Sequence, residues 1–246
     1  MLFIIASLIF FCEVFILFIL DSHVVTIDKP VIKYDLNNVE STVIINESLI
    51  NNAYNTKLIK DIYANKEKEY LYVLNTVQDS IVDGPGIRYT IFLQGCQHFC
   101  EGCHNKQTWA LFNKEARVMS ILDIINEIKT NPLINGITVS GGEPLMQTYS
   151  VDTLLDEVKV QFPEYNIILY TGYTMYYNEW LQQFAFKGKE SDKYINSILN
   201  KVDYIVDGEF KIGLKDIGLK YRGSSNQRII DIKGSLKAKE IVLAEV

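Results

Sequence analysis

From Tyr70 onward, short runs of β-branched and aromatic residues alternate with segments of helical hydrophobic spacing. Helical spacing covers 121–128, which begins after Ser120 and stops at Pro132, and 151–162. The strand-like runs are 70–74, 89–93, 137–140, 167–170 and 204–206. Strand, helix and strand in repeated order predict right-handed crossovers and parallel strands, hence an α/β fold. The units are too few for a closed eight-stranded barrel, so we expect a partial, open (β/α) barrel.

The chain has 246 residues and divides near residue 68. Residues 69–246 carry the strand and helix pattern. Residues 21–68 are polar and rich in asparagine, which indicates a linker or a weakly ordered extension. The formal net charge of −6 leaves no broad basic surface for a nucleic-acid backbone. We therefore expect protein or small-molecule partners and no nucleic acid.

An apolar segment at the N-terminus, residues 1–20, is interrupted only by Ser7 and Glu13. It is long enough to cross a bilayer as a helix, although a carboxylate inside the membrane is costly. No basic residue precedes it, so the charged start of a signal peptide is missing. Lys29 and Lys33 follow it, and a spanning segment would leave the C-terminal domain in the cytoplasm. A membrane anchor and an extension outside the working domain both remain open.

Three of the four cysteines lie within eight residues, directly after the predicted strand 89–93. They are Cys96, Cys100 and Cys103, at Cys-x3-Cys-x2-Cys spacing. A cubane iron–sulfur cluster normally takes one cysteine thiolate per iron. This loop would therefore hold three irons and leave the fourth open to another ligand. Cys12 lies far upstream in the apolar segment and is a poor candidate for that iron.

A structural zinc ion is the alternative use of the cysteine loop, with His104 or His98 as fourth ligand. Tetrahedral zinc sites usually take ligands from two separated pairs, which this spacing does not provide. In that case the chain would be a membrane-tethered interaction protein without catalysis. A disulfide is disfavoured, because three clustered cysteines are an odd number and no secretory signal is recognised.

A second motif, Ser140-Gly141-Gly142-Glu143-Pro144, follows the predicted strand 137–140. Its glycines allow close approach of the backbone to a ligand, and Glu143 can bind a charged amino group. By itself the motif is an ordinary turn before a helix. Ligand sites in parallel sheets lie at the carboxyl ends of the strands, so this turn is expected beside the cysteine loop. The turn Tyr170–Tyr173 ends the next strand, and Thr171 and Gly172 are further candidates there.

Together the two motifs resemble the radical S-adenosylmethionine (SAM) superfamily. Asp83–Arg88 and Cys103–Trp109 narrow the resemblance to its glycyl-radical-enzyme activases. Val202–Phe210 and Tyr221–Arg228 resemble the family of activating proteins for anaerobic ribonucleoside-triphosphate reductases. This resemblance covers about residues 69–232, so residues 1–68 lie outside it.

The resemblance implies a [4Fe-4S] cluster on Cys96, Cys100 and Cys103, with SAM on the open iron. An electron, expected from reduced flavodoxin, would cleave SAM to methionine and a 5′-deoxyadenosyl radical. That radical would remove a hydrogen atom from a glycine of the reductase. No side chain is assigned a catalytic role, because homolytic chemistry needs no general base. The cofactor-binding residues would be Gly102, Cys103, His104, Ser140, Gly141, Gly142 and Glu143.

An activase of the pyruvate formate-lyase type is the alternative within the same chemistry. Such activases share the neighbourhoods of the cysteine loop and the Gly-Gly-Glu-Pro turn. They have a longer catalytic region, whereas only about a hundred residues follow Pro144 here. The Arg222–Gln227 run also favours the reductase as partner.

Overall fold

The computed structural model describes residues 31–33, 42–44, 70–110, 113–190 and 193–245. The division between two compact units falls between Lys66 and Glu67. In the first unit, β1 (Val31–Lys33) pairs antiparallel with β2 (Thr42–Ile44). The apolar segment 1–20 lies outside the described residues. Within the described ranges, no helix has the length and hydropathy needed to cross a bilayer.

A seven-stranded mixed sheet organises the second unit. Its strands are β3 (Tyr70–Ser80), β4 (Arg88–Leu93), β5 (Arg117–Ser120), β6 (Gly136–Gly141), β7 (Asn166–Tyr170), β10 (Tyr204–Asp207) and β11 (Arg228–Asp231). The strand order is β11-β10-β7-β6-β4-β3-β5. The neighbours β4, β6, β7 and β10 are parallel, as the sequence predicted, whereas β3, β5 and β11 pair antiparallel. The fold is therefore α/β with a parallel centre and antiparallel margins.

Four α-helices are described in this unit. They are α1 (Ile121–Lys129), α2 (Thr148–Gln161), α3 (Lys193–Leu199) and α4 (Ile232–Ala238). The first two were predicted. Ser120 caps α1 by accepting a hydrogen bond from the Asp123 backbone N–H at 3.0 Å, and four isoleucines of that helix are buried. A hairpin of β8 (Thr174–Asn178) and β9 (Gln183–Lys187) separates β7 from α3.

The parallel strands place four loops at one edge of the sheet, which we call the carboxyl edge. The loop after β4 carries the three cysteines, and the turn after β6 is the Gly-Gly-Glu-Pro motif. The turn after β7 contains Thr171 and Gly172, and the loop after β10 begins at Gly208. Sequence-distant motifs thus come together because their strands are neighbours with the same direction.

Arg88 occupies the opposite, amino edge, at the start of β4. Its side chain is fully buried. The guanidinium donates to Thr138 Oγ1 and Asn166 Oδ1, both at 2.6 Å, and to the backbone oxygens of Pro85 and Ile137. Burial lowers its pKa to about 10, so the side chain stays charged at neutral pH. The Asp83–Arg88 segment therefore braces the starts of the parallel strands.

An Arg88→Met variant is expected to lose about 3 kcal/mol of unfolding free energy. Methionine fills much of the volume but leaves buried oxygens without donors. Urea unfolding of the apo protein measures the change. Arg117→Met is the matched control, because Arg117 is exposed, and its cost should be below about 0.5 kcal/mol. Equal losses in the two variants would contradict a bracing role for Arg88.

Candidate cluster and cofactor site

The cysteine loop is closed at its base by backbone hydrogen bonds. The Gly95 N–H donates to Thr108 O at 2.7 Å, and the Cys96 N–H donates to Trp109 O at 3.3 Å. Between these ends, Phe99 and Gly102 adopt left-handed backbone conformations, with φ of 49° and 74°. Left-handed turns reverse the chain within a few residues. The closure and the reversals together hold the three cysteines on one compact loop.

The three thiols are free, half-buried and close to backbone N–H groups. Burial raises the pKa of the Cys96 thiol to about 11, although the His98 N–H favours its thiolate. Burial also raises the pKa of Cys100, against the effect of the Phe210 N–H. The Asn105 N–H donates to Cys103 Sγ at 3.4 Å. Such N–H groups stabilise cluster thiolates, so this donor set fits a [4Fe-4S] cluster. Because thiols bind iron as thiolates, binding of the cluster would release protons.

A single metal ion would need ligands that converge on one point. Within the described ranges, no group of three or more His, Cys, Asp or Glu side chains is arranged to hold one metal ion. In a cubane each cysteine binds a different iron, so the three sulfurs need not converge on one point.

The Gly-Gly-Glu-Pro turn packs directly against the start of the cysteine loop. The Gly142 N–H donates to Leu93 O and the Glu143 N–H donates to Gly95 O, both at 2.8 Å. A Cβ on Gly142 would lie 2.1 Å from Gly95 O. Gly141 has φ of +100°, and a Cβ there would lie 2.3 Å from Leu93 N. Both glycines are thus required by contact with the neighbouring strand end, a reason that sequence analysis did not identify.

The Glu143 side chain is fully buried and accepts hydrogen bonds from protein groups. Oε1 accepts from the Leu145 N–H at 2.9 Å, and Oε2 from the Gly172 N–H at 2.9 Å. The Thr171 hydroxyl lies 2.9 Å from both oxygens, and His98 Nε2 lies 2.7 Å from Oε2. The structure therefore joins Glu143 to Thr171 and Gly172 through its carboxylate. Contact of Glu143 with a SAM amino group stays a prediction.

His98 links this buried carboxylate to the loop after β10. Its Nδ1 lies 3.4 Å from Glu209 Oε1, and its ring stands edge-on to Tyr173 with centroids 4.6 Å apart. Burial alone lowers the pKa of His98, but the hydrogen bond and charge of Glu143, aided by Glu209, outweigh burial and raise it. The four parallel strand ends are thus connected through one histidine. In the sequence, His98 was a candidate zinc ligand only, and its contact with Glu143 was not predicted.

The other predicted cofactor residues lie around the same loops. Ser140 is the penultimate residue of β6, is 9% exposed and lies opposite Phe92 of β4. Gly102 lies against Ile212, because a Cβ on this glycine would be 2.7 Å from Ile212 Cδ1. The His104 ring lies beside Phe210, with centroids 6.1 Å apart. The loop after β10 therefore covers part of the cysteine loop.

The chain is similar to a family model and to named proteins. Residues 82–230, which run from just before β4 to β11, match a family model described as a 4Fe-4S single cluster domain. The chain is 36% identical over 153 residues to the anaerobic ribonucleoside-triphosphate reductase-activating protein of Vibrio cholerae, covering 61% of this chain and 90% of that protein. The protein of the same name from Enterobacteria phage T4 is 35% identical over 150 residues, 60% of this chain and 86% of the relative.

The Escherichia coli K12 protein of that name is 34% identical over 151 residues, covering 60% of this chain and 90% of the relative. The family-model match includes the strands that carry the cysteine loop, the Gly-Gly-Glu-Pro turn and the loop after β10. The chain therefore belongs to the family of anaerobic ribonucleoside-triphosphate reductase-activating proteins, with its 4Fe-4S domain at residues 82–230.

Proposed function

We propose that this protein generates a glycyl radical on an anaerobic ribonucleoside-triphosphate reductase, acting as a radical SAM enzyme. The carrying observation is the attachment of the three-cysteine loop to the Gly-Gly-Glu-Pro turn at the carboxyl edge. It supports a cluster and a second ligand in one place. The family relationship, in which the relatives are named as activators of this reductase, supports the choice of partner.

In this proposal Cys96, Cys100 and Cys103 would hold the [4Fe-4S] cluster, and residues of the cysteine loop and of the Gly-Gly-Glu-Pro turn would hold SAM. When bound, the cluster supplies the electron that splits SAM into methionine and a 5′-deoxyadenosyl radical. Transfer of one hydrogen atom from the glycine Cα would then give 5′-deoxyadenosine and a glycyl radical on the reductase. The role of this chain is to orient both partners and to exclude water.

The residues proposed to contact SAM belong to the cysteine loop and to the end of β6 with the turn that follows it. Gly102, Cys103 and His104 would border SAM on the side of the cysteine loop. Ser140, Gly141, Gly142 and Glu143 would border it on the side of β6. Glu143 is already held by four protein donors, so the backbone of its turn is better placed than its side chain to bind an amino group.

Further parts of the proposal concern the surroundings of this site. The parallel strands would curve as the partial (β/α) barrel of a radical SAM domain at residues 69–246. Reduced flavodoxin would donate the electron, and the domain would work in the cytoplasm. Residues 1–20 would either tether it to a membrane or form an extension outside the working domain, joined by the segment 21–68.

Reconstituted protein, SAM, a reductant and an anaerobic ribonucleotide reductase are expected to yield a glycyl-radical doublet in the electron paramagnetic resonance (EPR) spectrum. The doublet should require SAM, because SAM is the source of the hydrogen-abstracting radical. Released methionine and 5′-deoxyadenosine, measured by chromatography, provide a second readout.

Two outcomes would contradict the assignment. A doublet on pyruvate formate-lyase but not on the reductase would move the function to the alternative activase type. Stoichiometric zinc without iron in anaerobically purified protein would remove the radical mechanism altogether.

A further inference from the structure

The segment Lys211–Arg222, which we call the basic loop, has an unusual surface. Residues 211–218 are all exposed, and Ile217 is 95% exposed. The loop repeats Ile-Gly-Leu-Lys at 212–215 and again at 217–220, which sequence analysis missed. The loop contains four basic side chains and one acidic side chain. Its net charge is therefore +3, whereas the whole chain has a net charge of −6. Large apolar and basic side chains are therefore presented together to solvent.

This surface belongs to an ordered loop, because the residues at its base are tied to one another. Gln227 Oε1 accepts from the Gly223 and Ser224 N–H groups at 2.9 and 3.1 Å, and its Nε2 donates to Gly208 O at 3.0 Å. The Asn226 side chain donates to Glu209 O at 2.9 Å. The Arg-Gly-Ser-Ser-Asn-Gln run thus joins the chain before the basic loop to the chain after it.

The basic loop is also fixed relative to the cysteine loop. Ile212 contacts Gly102, and the Phe210 N–H lies next to the thiol of Cys100. Ile212 itself remains 46% exposed, and Leu214 is 44% exposed. One side of this segment therefore contacts the cluster-binding loop while the other side is accessible.

Hydrogen transfer requires the reductase glycine to come within about 3–3.5 Å of the reacting carbon at this site. A protein that brings its backbone so close must also cover the neighbouring surface. Exposed apolar side chains give such a contact its desolvated centre, while charges at the rim guide the encounter. The basic loop offers both, directly beside the cysteine loop.

We propose that the basic loop is the docking surface for the reductase, and that it binds an acidic surface around the radical-bearing glycine. This inference rests on the proposed function and specifies where the partner binds. It assigns the recognition of the partner to exposed lysine, isoleucine and leucine side chains. The Arg-Gly-Ser-Ser-Asn-Gln run contributes indirectly, by holding those side chains in place.

The test replaces Lys211, Lys215 and Lys220 together by glutamate and measures the Kd for the reductase by biolayer interferometry. The matched control places the same charge change on exposed lysines elsewhere, as Lys129→Glu, Lys187→Glu and Lys237→Glu. We expect the loop variant to raise Kd at least about tenfold and the control to change it less than about twofold. The difference should shrink as salt is raised, because screening weakens the wild-type attraction.

The apolar contribution is tested with Ile217→Ser, and Ile81→Ser serves as its control because Ile81 is 70% exposed on the turn before β4. Only Ile217→Ser should weaken binding. Both variants should unfold at the wild-type temperature, and SAM cleavage without reductase should be unchanged.

Equal Kd values for the lysine variant and its control would overturn the docking assignment. So would a lysine variant that binds the reductase normally but no longer binds vesicles of anionic phospholipid, since the occupant would then be a membrane surface. Failure of the proposed function looks different: wild-type protein would bind the reductase through the basic loop yet produce no glycyl radical on it.

Discussion

A Cys100→Ala variant is expected to fold normally, to bind no intact [4Fe-4S] cluster and to produce no glycyl radical on the reductase. The half-buried thiol contributes little to packing, so the apo protein should lose less than about 1 kcal/mol of unfolding free energy. Removing it leaves two thiolates on the loop for a cluster in which three irons are each expected to bind one cysteine. The loss should therefore affect chemistry far more than stability.

Iron analysis of anaerobically reconstituted protein measures the effect. Wild-type protein should contain about four irons per chain and the variant close to none. Cys12→Ala is the matched control, because it removes a thiol outside the cysteine loop by the same substitution. Full iron content in Cys100→Ala, or a loss of iron in Cys12→Ala, would show that the cluster ligands are assigned wrongly.

Elements with a clear hydrophobic pattern were predictable from the sequence. Helix α1 combines isoleucines at helical spacing with a serine cap, and β4, β6 and β7 are short apolar runs bounded by turns. The hairpin β8–β9 was missed because its turn lacks an Asn-Gly or Asp-Gly signal. Instead, Asn178 Oδ1 accepts from the Trp180 and Leu181 N–H groups at 3.1 Å, and Gln182 takes a positive φ of 51°.

The short elements were missed for a different reason. Helices α3 and α4 have only seven residues each, which is too short for a clear helical period. Strands β5 and β11 have four residues each and pair antiparallel at the margins. Pairing partners of this kind are set by tertiary contacts and not by a local pattern.

The common position of the cysteine loop and the Gly-Gly-Glu-Pro turn followed from strand order, but their joining contacts did not. His98 and Glu143 are 45 residues apart, and their contact depends on how two loops fold after their strands end. No local spacing distinguishes such a histidine from a solvent-exposed one. The same holds for Phe210, whose backbone reaches Cys100 from a distant strand end.

A Glu143→Gln variant is expected to lose about 3 kcal/mol of unfolding free energy in the apo protein. Both carboxylate oxygens accept from protein donors, among them the N–H groups of Leu145 and Gly172. Glutamine has nearly the same shape, but its amide nitrogen has no free lone pair and would face a buried donor. The substitution therefore breaks the contact among the strand ends without emptying the space.

His98 supplies a signature that a general packing defect would not produce. Its pKa is raised in the folded wild-type protein by Glu143 and Glu209, against the effect of burial. A raised folded-state pKa stabilises the protein below the unfolded value of 6.5, and this contribution disappears as pH rises through the folded pKa. The stability difference between wild type and Glu143→Gln should consequently be largest below pH 6.5 and smaller at higher pH.

Urea unfolding across this pH range measures the difference, and nuclear magnetic resonance of the His98 ring should show a lower pKa in Glu143→Gln. Glu164→Gln is the matched control, because Glu164 is exposed, and it should cost less than about 0.5 kcal/mol. An unchanged His98 pKa combined with wild-type stability would mean that Glu143 does not connect the strand ends. A lower His98 pKa with reduced iron retention would instead show that this buried carboxylate holds the cysteine loop in its cluster-binding form.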